Sequence, residues 1–442
     1  MFYLNRDTEL TPALLYKMFN RFNIEVLPRL NKYKKYYDGL HAILQKAYAD
    51  NSKPCNHTVI NFAKNIVDSY TGYLATPGYI SYTSADDITD IMDILRYNDY
   101  QTEDASLLQN ALIYGVSAEL MYFDTEGKTR FKQIAPTQCF GICDDSLTSD
   151  LIYFVRFYKE SEWDESNTYI VDVYDDKFIK TYTMSGINGQ LTFKEEKPHY
   201  FGQVPANILA LAEEKSIFDC IMSQQDSYNE IVSAEIDDYT AFCDAYLGLY
   251  GVDADADDIA AMKENRVLLL PTGAQAAWIT KNANDAQVEN ILKRLQDSIY
   301  KIAQCPDFSS ETFLGGVSSG VAIAYRLTGM EVKAGIIESI MRKALQRRVE
   351  IICGIASLKL GEAVFRDIKI EFKRNIPQDI TNTINLVNNL KGSVSDATLL
   401  AQLPFIDDVE AELEALKAQK EENASIYGFG AFGAENSEED EQ

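Results

Sequence analysis

The chain has 442 residues, of which 46% are hydrophobic and 24% are charged, and its formal net charge is −26. This composition predicts a globular protein with a substantial core, and the length suggests two or three domains. The large negative charge disfavours a protein that coats DNA through a broad basic face. The sequence has no apolar run of roughly eighteen residues, and MFYLNRDTELTP lacks the pattern of a secretion signal, so we expect neither a membrane span nor secretion.

The cysteines and histidines form no metal-binding pattern. The seven cysteines are scattered, with only Cys139 and Cys143 close together, and the three histidines lie far apart. No zinc site can be drawn from this pattern, a reducing cytoplasm is the simplest compartment, and no metal or cofactor is expected.

Periodicity in the first half of the chain predicts helices and then short strands. Helical patterns cover residues 12–37, 41–49 and the stretch TVINFAKNIVDSYTGYLATPG, and two more helices are expected within 87–114. The apolar residues then recur at every second position, which is typical of strands, and AELMYFDTEGKTRFKQIAP predicts a hairpin at Glu126-Gly127. Further strands are predicted for LIYFVRFY, TYIVDVYDD, KFIKTYTMSG and QLTFKEE. The order predicts an antiparallel α+β domain.

A different pattern begins after Pro205. A long helix is predicted over 213–247, and a strongly amphipathic helix of about nineteen residues over 285–304 would span roughly 28 Å. Residues 251–284 between them predict a short helix, a strand, a turn at 271–273 and a second strand. We therefore expect a small module held between two helices that leave and return to the same body.

The last part of the chain is predicted to be mostly helical. A long helix is expected over 320–359, a strand in RDIKIEFKRNIP, and helices over 381–420 with breaks at Gly392-Ser393 and at Pro404. From Ser395 onward the chain contains thirteen acidic residues and only two lysines, and the apolar residues of the final stretch show no periodicity. We expect disorder beyond about Glu422.

The stretch KIAQCPDFSSETFLGGVSSGVAIAYRL, residues 301–327, raises three possibilities: a phosphate cradle, a nucleophile or a mobile loop. It has neither the order nor the lysine of a Walker A motif, and no G-x-S-x-G elbow. Ser318 or Ser319 is more often a helix N-cap than a nucleophile, and no histidine lies nearby in sequence. The glycines at 315, 316 and 320 favour a loop that adopts more than one backbone conformation.

Two charged clusters have competing interpretations. Asp253, Asp255, Asp257 and Asp258, with Glu264 at the twelfth position, match the carboxylates of an EF-hand loop, but Asp258 replaces the required glycine. The alternatives are that these acids stabilise the start of a helix, or that they form a docking surface for a basic partner. Two clusters of basic residues are interpreted as solvated helix faces or intersubunit ion pairs rather than as contacts to phosphate groups. They are Lys32/Lys34/Lys35 and Arg342/Lys343/Arg347/Arg348.

The two tryptophans differ in their sequence context. Trp163 lies among acids in a predicted loop, whereas Trp278 lies in the module 251–284, as part of a small core or as an interface anchor.

Several segments, taken in chain order, resemble the portal proteins of tailed bacteriophages, in the subgroup typified by the phage SPP1 portal. The resemblance covers nearly the whole chain, and the ordered set is more specific than any single segment. The segments are YYDGLHAIL, NHTVINFAKNIVDSYTGYL, IAPTQCFGICDD with LIYFVRFY, DSYNEIVSAEIDDYTAFCDAYL, SIYKIAQCPDFSSETFLGGVSSGVAIAYRLTGME, and EFKRNIPQDI with SVSDATLLAQLPFIDDVEAELE.

This resemblance implies an α+β portal fold with a mixed α/β wing, a two-helix stem, a small α/β clip, a long kinked helix and a helical crown. The implied parts are a wing (1–212), stem helices (213–250 and 285–304), a clip (251–284), a tunnel loop (305–319), a long helix with a wing strand (320–394), and a crown with an acidic disordered tail (395–442). The implied tunnel-loop residues facing DNA are Phe308, Ser309, Ser310, Glu311, Thr312, Phe313, Leu314, Gly315, Gly316, Val317 and Ser318. Clip residues expected to dock partners are Asp253, Asp255, Asp257, Asp258 and Trp278.

By resemblance the protein is a non-enzymatic virion component, assembled in the host cytoplasm as a ring, expected to be a dodecamer. The implied partners are double-stranded DNA in transit, the terminase large subunit, head-completion or adaptor proteins, and the major capsid and scaffolding proteins. Two rival functions remain at this stage. One is another ring-forming phage structural protein such as an adaptor or tail component, and the other is a hydrolase using the Ser318/Ser319 loop.

Overall fold

The computed structural model describes residues 1–47, 54–161, 163, 167–186, 189–242, 246–250, 273, 275–279, 285–310, 320–355, 364–374, 380–400, 403, 406 and 409–428. The chain divides into two compact units. The first comprises Met1–Phe308 and Leu327–Asn375, and the second comprises Ser309–Arg326 and Ile376–Gln442.

Helices open the first unit, as the sequence predicts. Helix α1 is Pro12–Arg21, and a π-helical segment, Phe22–Val26, joins it to α2, Leu27–Tyr37. The hydroxyl of Thr11 caps α1 by accepting from the N–H of Leu14 at 3.3 Å. The helix predicted over 41–49 is wrong in its described part, because only a 3₁₀ turn, Ala42–Gln45, forms.

Three further helices follow in this unit before the large sheet. They are α3 (Phe62–Leu74), α4 (Thr89–Tyr97) and α5 (Tyr100–Tyr114), which confirms the predicted helices in this region. Gly115 ends α5 with φ at +81°, and a Cβ there would lie 2.4 Å from the backbone of Glu214. Glycine is therefore required at this helix end both by conformation and by space.

A six-stranded sheet contains the four strands predicted after residue 150 and two that the sequence analysis did not predict. The predicted strands are β6 (Leu151–Lys159), β7 (Thr168–Tyr174), β8 (Phe178–Ser185) and β9 (Leu191–Pro198), and the other two are β1 (Phe2–Leu4) and β5 (Cys139–Asp144). Their order is β1-β5-β6-β7-β8-β9, with β1 parallel to β5 and the remaining neighbours antiparallel. Trp163 lies between β6 and β7 and is 96% exposed, as expected for a loop residue.

A three-stranded sheet packs near it. The predicted hairpin is formed by β3 (Val116–Phe123) and β4 (Thr129–Ile134), and β10 (Ala206–Ala210) pairs antiparallel with β3. One buried apolar cluster takes side chains from both sheets, among them Leu120 and Ala206 from the smaller sheet and Phe154 and Tyr174 from the larger. Burial of this cluster supplies a large part of the hydrophobic stabilisation here.

The helix predicted over 213–247 is too long at both ends. Glu213 lies in a 3₁₀ turn with φ at +55°, and the helix, α6, covers Met222–Phe242. Residues Tyr246–Tyr250 form a strand, β11, which pairs antiparallel with β12 (Gln275–Ile279). The helical pattern is lost here because β11 pairs with β12. The paired residues are between 25 positions (Tyr250↔Gln275) and 33 positions (Tyr246↔Ile279) apart in the chain.

The predicted helix 285–304 is confirmed as α7, Asp285–Ala303. The long helix predicted over 320–359 is confirmed as α8, Gly320–Cys353, but its predicted end is wrong, because Gly354 and Ile355 are not helical. A short helix, α9 (Val364–Asp367), precedes β13 (Lys369–Phe372), which pairs antiparallel with β2 (Ile80–Thr83). No helix in the described part of the chain is long and apolar enough to cross a lipid bilayer.

The second unit contains α10 (Ile380–Leu390), α11 (Asp396–Leu400) and α12 (Val409–Gly428). Gly392, with φ at +88°, lies at the predicted break after α10, whereas the predicted break at Pro404 lies outside the described residues. The prediction of disorder beyond Glu422 is wrong as far as Gly428, because α12 continues to that residue. Residues 429–442 lie outside the described part.

Candidate functional site

Helices α6 and α7 leave the body of the first unit and return to it. Strand β11 follows α6 and strand β12 precedes α7, and the antiparallel pairing of these strands joins the two helices at their far end. Closer to the body, the ring of Phe62 packs edge-on against Tyr228 of α6 and Tyr300 of α7, with centroid distances of 5.1 and 5.6 Å. These two tyrosines therefore lie at the same height along the helix pair.

Four buried polar side chains of α6, spaced four residues apart, accept hydrogen bonds from alternate backbone N–H groups of segment 56–62, which leads into α3. The acceptors are Gln225, Asn229, Ser233 and Asp237. The donors, in the same order, are the amides of Phe62, Ile60, Thr58 and Asn56, at 2.9, 3.0, 3.0 and 2.7 Å. We call this arrangement the polar ladder. It attaches the first part of the chain to α6 over about three turns.

Helix α2 is attached to the start of the same helix by tyrosines. The Tyr33 hydroxyl donates to Asp219 at 2.7 Å, and the Tyr36 hydroxyl donates to Asp226 at 2.8 and 2.7 Å. Burial, followed by the hydrogen bond to the carboxylate, raises the pKa of both tyrosines above the ordinary value of 10.0. The phenols therefore remain donors over the whole physiological pH range.

His41 connects α2 to the polar ladder as a neutral ring. Its Nε2 lies 2.9 Å from the Tyr36 carbonyl oxygen and its Nδ1 lies 2.9 Å from Nδ2 of Asn229. Since the carbonyl only accepts, Nε2 carries the proton and Nδ1 accepts from Asn229. Burial lowers the pKa of His41, which agrees with this neutral form.

The C-terminal end of α7 is held by side chains from two other helices. The Tyr70 hydroxyl of α3 lies 3.2 and 3.0 Å from the carbonyl oxygens of Ala303 and Gln304, and Nζ of Lys333 on α8 donates to Ala303 at 3.2 Å. Burial lowers the pKa of Lys333. These contacts satisfy helix-end carbonyls that would otherwise lack donors, so the chain enters the stretch after residue 304 from a fixed point.

Helix α8 is anchored by a fully buried arginine. Arg348 donates to both carboxylate oxygens of Glu119 on β3, at 2.8 and 2.6 Å, and it also pairs with Asp104 on α5. Its guanidinium lies 4.4 Å from the ring centroid of Phe131 on β4. The interpretation of Arg348 as part of a solvated basic face is therefore wrong, because it forms an internal ion cluster with residues from three other elements.

Three of the six remaining members of the two basic clusters form ion pairs within the chain. Arg342 pairs with Glu338, Arg347 pairs with Glu350 at 2.7 Å, and Lys34 pairs with Asp38 at 2.6 Å. These exposed or partly exposed pairs within one chain agree with the interpretation of the clusters as solvated helix faces, and the alternative of intersubunit ion pairs stays a prediction.

Only the start of the predicted tunnel loop is described. Phe308 is 41% exposed, Ser309 is exposed and Ser310 is partly exposed. Just before them, Nε2 of Gln296 on α7 donates to Asp307 at 3.0 Å, and the Cys305 thiol is buried, which raises its pKa to about 11. The remaining predicted loop residues lie outside the described part: Glu311, Thr312, Phe313, Leu314, Gly315, Gly316, Val317 and Ser318.

The predicted clip residues are also largely outside the described part. Asp253, Asp255, Asp257 and Asp258 fall within 251–272, which is not described, and the backbone of Trp278 lies in β12 opposite Leu247. Within the described residues, no group of three His, Cys, Asp or Glu side chains is placed to hold a metal ion. The six cysteines in the described part of the chain form no disulfide.

Residues 21–425 of the chain match the family described as "Phage portal protein, SPP1 Gp6-like". The chain belongs to this family. The portal protein of Bacillus phage SPP1 is 22% identical over 421 residues, which are 90% of this chain and 82% of that protein. The portal protein of Clostridium phage phiCD119 is 20% identical over 428 residues, which are 89% of this chain and 92% of that protein. The resemblance noted in the sequence is therefore confirmed.

Membership of this family makes the protein a structural component of a phage virion. Portal proteins assemble into oligomeric rings associated with the capsid, and they are not enzymes as a class. The polar ladder and the Arg348 cluster were not found from the sequence. A signal existed only for the ladder, since Gln225, Asn229, Ser233 and Asp237 recur every four residues on an otherwise amphipathic helix.

Proposed function

We propose that this chain forms a ring channel at one capsid vertex, through which double-stranded DNA is packaged and later ejected. The observation that carries the proposal is the pair α6 and α7, which extends from the body, is joined at its far end by β11 and β12, and is fixed to the body by the polar ladder and the Tyr70 contacts. A rigid hairpin of helices of this kind suits the wall of a channel.

The parts of such a channel map onto the chain as follows. The stem is α6, Met222–Phe242, within 213–250 together with α7, Asp285–Ala303. The clip is 251–284, the tunnel loop 305–319 and the wing 1–212. Residues 320–394 supply the long helix and a wing strand, and 395–442 form the crown and the acidic tail. The ring is a dodecamer, in which each subunit presents two unlike faces to its neighbours.

The charge of the chain suits transit of DNA. Double-stranded DNA carries about one charge per 1.7 Å of axis, and each phosphate neutralised by a basic side chain strengthens binding. A ring built from subunits of net charge −26 holds its cargo weakly, and the tunnel-loop residues Phe308, Glu311, Thr312, Phe313, Leu314 and Val317 add no positive charge. The channel therefore lets DNA slide rather than gripping it.

In this scheme the chain supplies no catalysis. The terminase large subunit docks on the clip and provides the energy for packaging, and head-completion or adaptor proteins occupy the same surface afterwards. The acids Asp253, Asp255, Asp257 and Asp258 and the aromatic Trp278 are the proposed contacts, because an acidic surface with one aromatic anchor suits a basic partner.

Electron cryomicroscopy of the purified chain tests this proposal. The expected result is end-on views with about twelve-fold symmetry and an axial hole wide enough for a duplex of about 20 Å. A closed dimer with no axial opening, at every concentration and salt tested and also in the presence of scaffolding protein, would contradict it.

A further inference from the structure

Helix α7 ends in a capping motif that favours glycine, although the chain has glutamine there. The N–H of Gln304 donates to the carbonyl oxygen of Lys301 at 3.3 Å. The N–H of Cys305 donates to the carbonyl oxygen of Tyr300 at 3.1 Å, and together these are the two hydrogen bonds of a Schellman motif. The motif places Gln304 in the left-handed region, with φ at +55°. Side chains with a Cβ disfavour this region, so the surroundings must hold the backbone there.

The surroundings hold the backbone at this point and leave the glutamine side chain free. The Tyr70 hydroxyl of α3 lies 3.0 Å from the carbonyl oxygen of Gln304. One residue earlier, Nζ of Lys333 on α8 donates to the carbonyl oxygen of Ala303 at 3.2 Å. Gln304 is itself exposed, whereas Ala303 is completely buried. Two other helices therefore fix the last two carbonyl groups of α7.

The charge of Lys333 suits this task better than it suits packing. Burial lowers its pKa, and the acidic groups that oppose this effect are the thiols of Cys220 and Cys305. No carboxylate pairs with its ammonium group in the described part of the chain. Its Nζ lies 5.6 Å from the ring centroid of Tyr70, and the carbonyl that it bonds is at the negative end of the α7 dipole. An apolar side chain would fill the same space without the cost of burying a charge.

The residues that follow also have little backbone freedom. The ring of Pro306 fixes its own φ, and it restricts Cys305 before it to extended conformations. The thiol of Cys305 is buried, and the residue is only 2% exposed. Asp307 accepts from Nε2 of Gln296 at 3.0 Å, which ties it back to α7. We call the four consecutive residues 304–307 the elbow.

The same proline prevents α7 from lengthening through the elbow. A helix that continued through Pro306 would lack the N–H that bonds to the carbonyl of Ile302, and the proline ring would clash with that carbonyl. The end of α7 is therefore a fixed stop.

We propose that the elbow fixes the point and the direction in which the tunnel loop leaves the body, and that Lys333 and Tyr70 are the positioning residues that lock it. Movement of the tunnel loop then begins after Asp307, and the elbow moves only together with α3, α7 and α8. This inference rests on the proposed function, because it takes residues 305–319 as the loop that meets DNA.

Alkylation of the buried Cys305 thiol tests whether the elbow is locked. The purified chain is treated with N-ethylmaleimide under native conditions, and peptide mass spectrometry gives the rate at each cysteine. Lys333→Met and Tyr70→Phe are each expected to raise the rate at Cys305 by at least about tenfold, because opening exposes the thiol and relieves its raised pKa. The buried Cys139 of β5 should keep its wild-type rate. Lys343→Met, at an exposed position of α8, is the matched control and should change neither rate.

A pair of substitutions at Gln304 separates positioning from packing. Because this residue is exposed, Gln304→Gly and Gln304→Val change chiefly the preference of the backbone for positive φ. The glycine variant is expected to alkylate at Cys305 no faster than the wild type, and the valine variant about tenfold faster. A contribution of Lys333 to packing alone would not produce this difference.

Two sets of results would overturn the inference. The first is a Cys305 rate in Lys333→Met that equals the rate in Lys343→Met, or that rises only in parallel with Cys139, since a parallel rise indicates global destabilisation. The second is equal Cys305 rates in the two Gln304 variants. Failure of the proposed function has a different signature: electron cryomicroscopy shows no ring while the alkylation rates follow the expectation, so the elbow stands but does not serve a channel.

Discussion

Arg348 is the largest side chain that is completely buried in the described part of the chain. Burial alone would lower its pKa, but the carboxylates of Asp104 and Glu119 outweigh this effect, and its pKa is well above the ordinary value. The guanidinium therefore stays charged. It connects α8 to α5 and β3, and Asp104 in turn accepts from the Tyr82 hydroxyl of β2 at 3.1 Å. One residue thus fixes the long helix against three other elements.

Replacing this arginine is expected to be costly. Arg348→Met leaves two buried carboxylates without their cation, and breaking a buried pair in this way costs about 3–5 kcal/mol. The measurement is the free energy of unfolding from denaturant titration of the purified chain. Arg347→Met is the matched control, because Arg347 pairs at a partly exposed site with Glu350 and Gln203, and its loss should cost about 1 kcal/mol or less. Equal costs for the two variants would contradict the prediction.

The same cluster predicts a dependence of stability on pH. Burial raises the pKa of Asp104 to about 6 from its ordinary 3.8, although Arg348 opposes the shift. Between these values the folded chain binds more protons than the unfolded chain, so the stability contributed by Asp104 falls as the pH rises through this window and is constant above it.

Asp104→Asn removes this titration while keeping an oxygen that accepts from Arg348. From pH 5 to pH 7.5, the wild type is expected to lose about 1 kcal/mol more unfolding free energy than the variant. Chemical denaturation of both proteins at several pH values gives the difference between their unfolding free energies, in which the contributions of the other titrating groups cancel. A difference that is constant with pH, or that changes with the opposite sign, would contradict the prediction.

The polar ladder shows how two elements of different geometry can share a register. Two residues of an extended segment advance about 6.6 Å, and four residues of a helix advance about 6.0 Å. The near match lets every second amide of 56–62 meet every fourth side chain of α6. Because these amides are away from any sheet, the side chains of α6 supply the hydrogen bonds that a neighbouring strand would otherwise provide.

Hydrogen exchange is expected to reveal this register. The amides of Asn56, Thr58, Ile60 and Phe62 should be protected and those of His57 and Val59 should exchange faster. Asn229→Leu should lift the protection of Ile60 and cost about 1–3 kcal/mol, because a buried N–H loses its acceptor. Ser227→Ala, on the exposed side of α6, is the control and should change little. Uniform exchange along 56–62 in the wild type would rule out the ladder in solution.

At the scale of the whole assembly, the stretch after α7 is the part expected to adapt to moving DNA. It is entered from a fixed point at Ala303 and Gln304, held by Tyr70 and Lys333. Beyond this point the sequence places Gly315 and Gly316, which permit backbone conformations that other residues disfavour. Adaptation of the loop in every subunit would allow a ring of fixed symmetry to follow a helical duplex.

Stiffening this stretch tests the role. Phage carrying Gly315→Pro/Gly316→Pro is expected to yield fewer DNA-filled heads, since proline fixes φ and removes a donor at both positions. The yield is measured by counting filled and empty heads in electron micrographs. Gly315→Ala/Gly316→Ala restricts the backbone less and should give an intermediate yield. If the proline variant packages and retains DNA normally, the loop does not need to change conformation during packaging, which would contradict the prediction.

Much of this protein follows from local sequence. The amphipathic repeat of 285–304 is enough to predict α7, and the alternation of β-branched and aromatic residues is enough to predict β6 to β8, because each pattern reflects burial of one face of the element. The ordered segments from YYDGLHAIL to SVSDATLL were enough to suggest the portal family. These features depend on residues close together in the chain.

Other features were decided only by the tertiary structure. The pattern of a long helix continues beyond Phe242, yet Tyr246–Tyr250 is a strand because Gln275–Ile279 is available to pair with it. Arg348 looks like a surface residue among other basic residues, and it is buried because Asp104 and Glu119, more than 200 positions earlier, meet it. In both cases the deciding partner is remote in sequence, and a local pattern carries no information about a partner that only folding brings near.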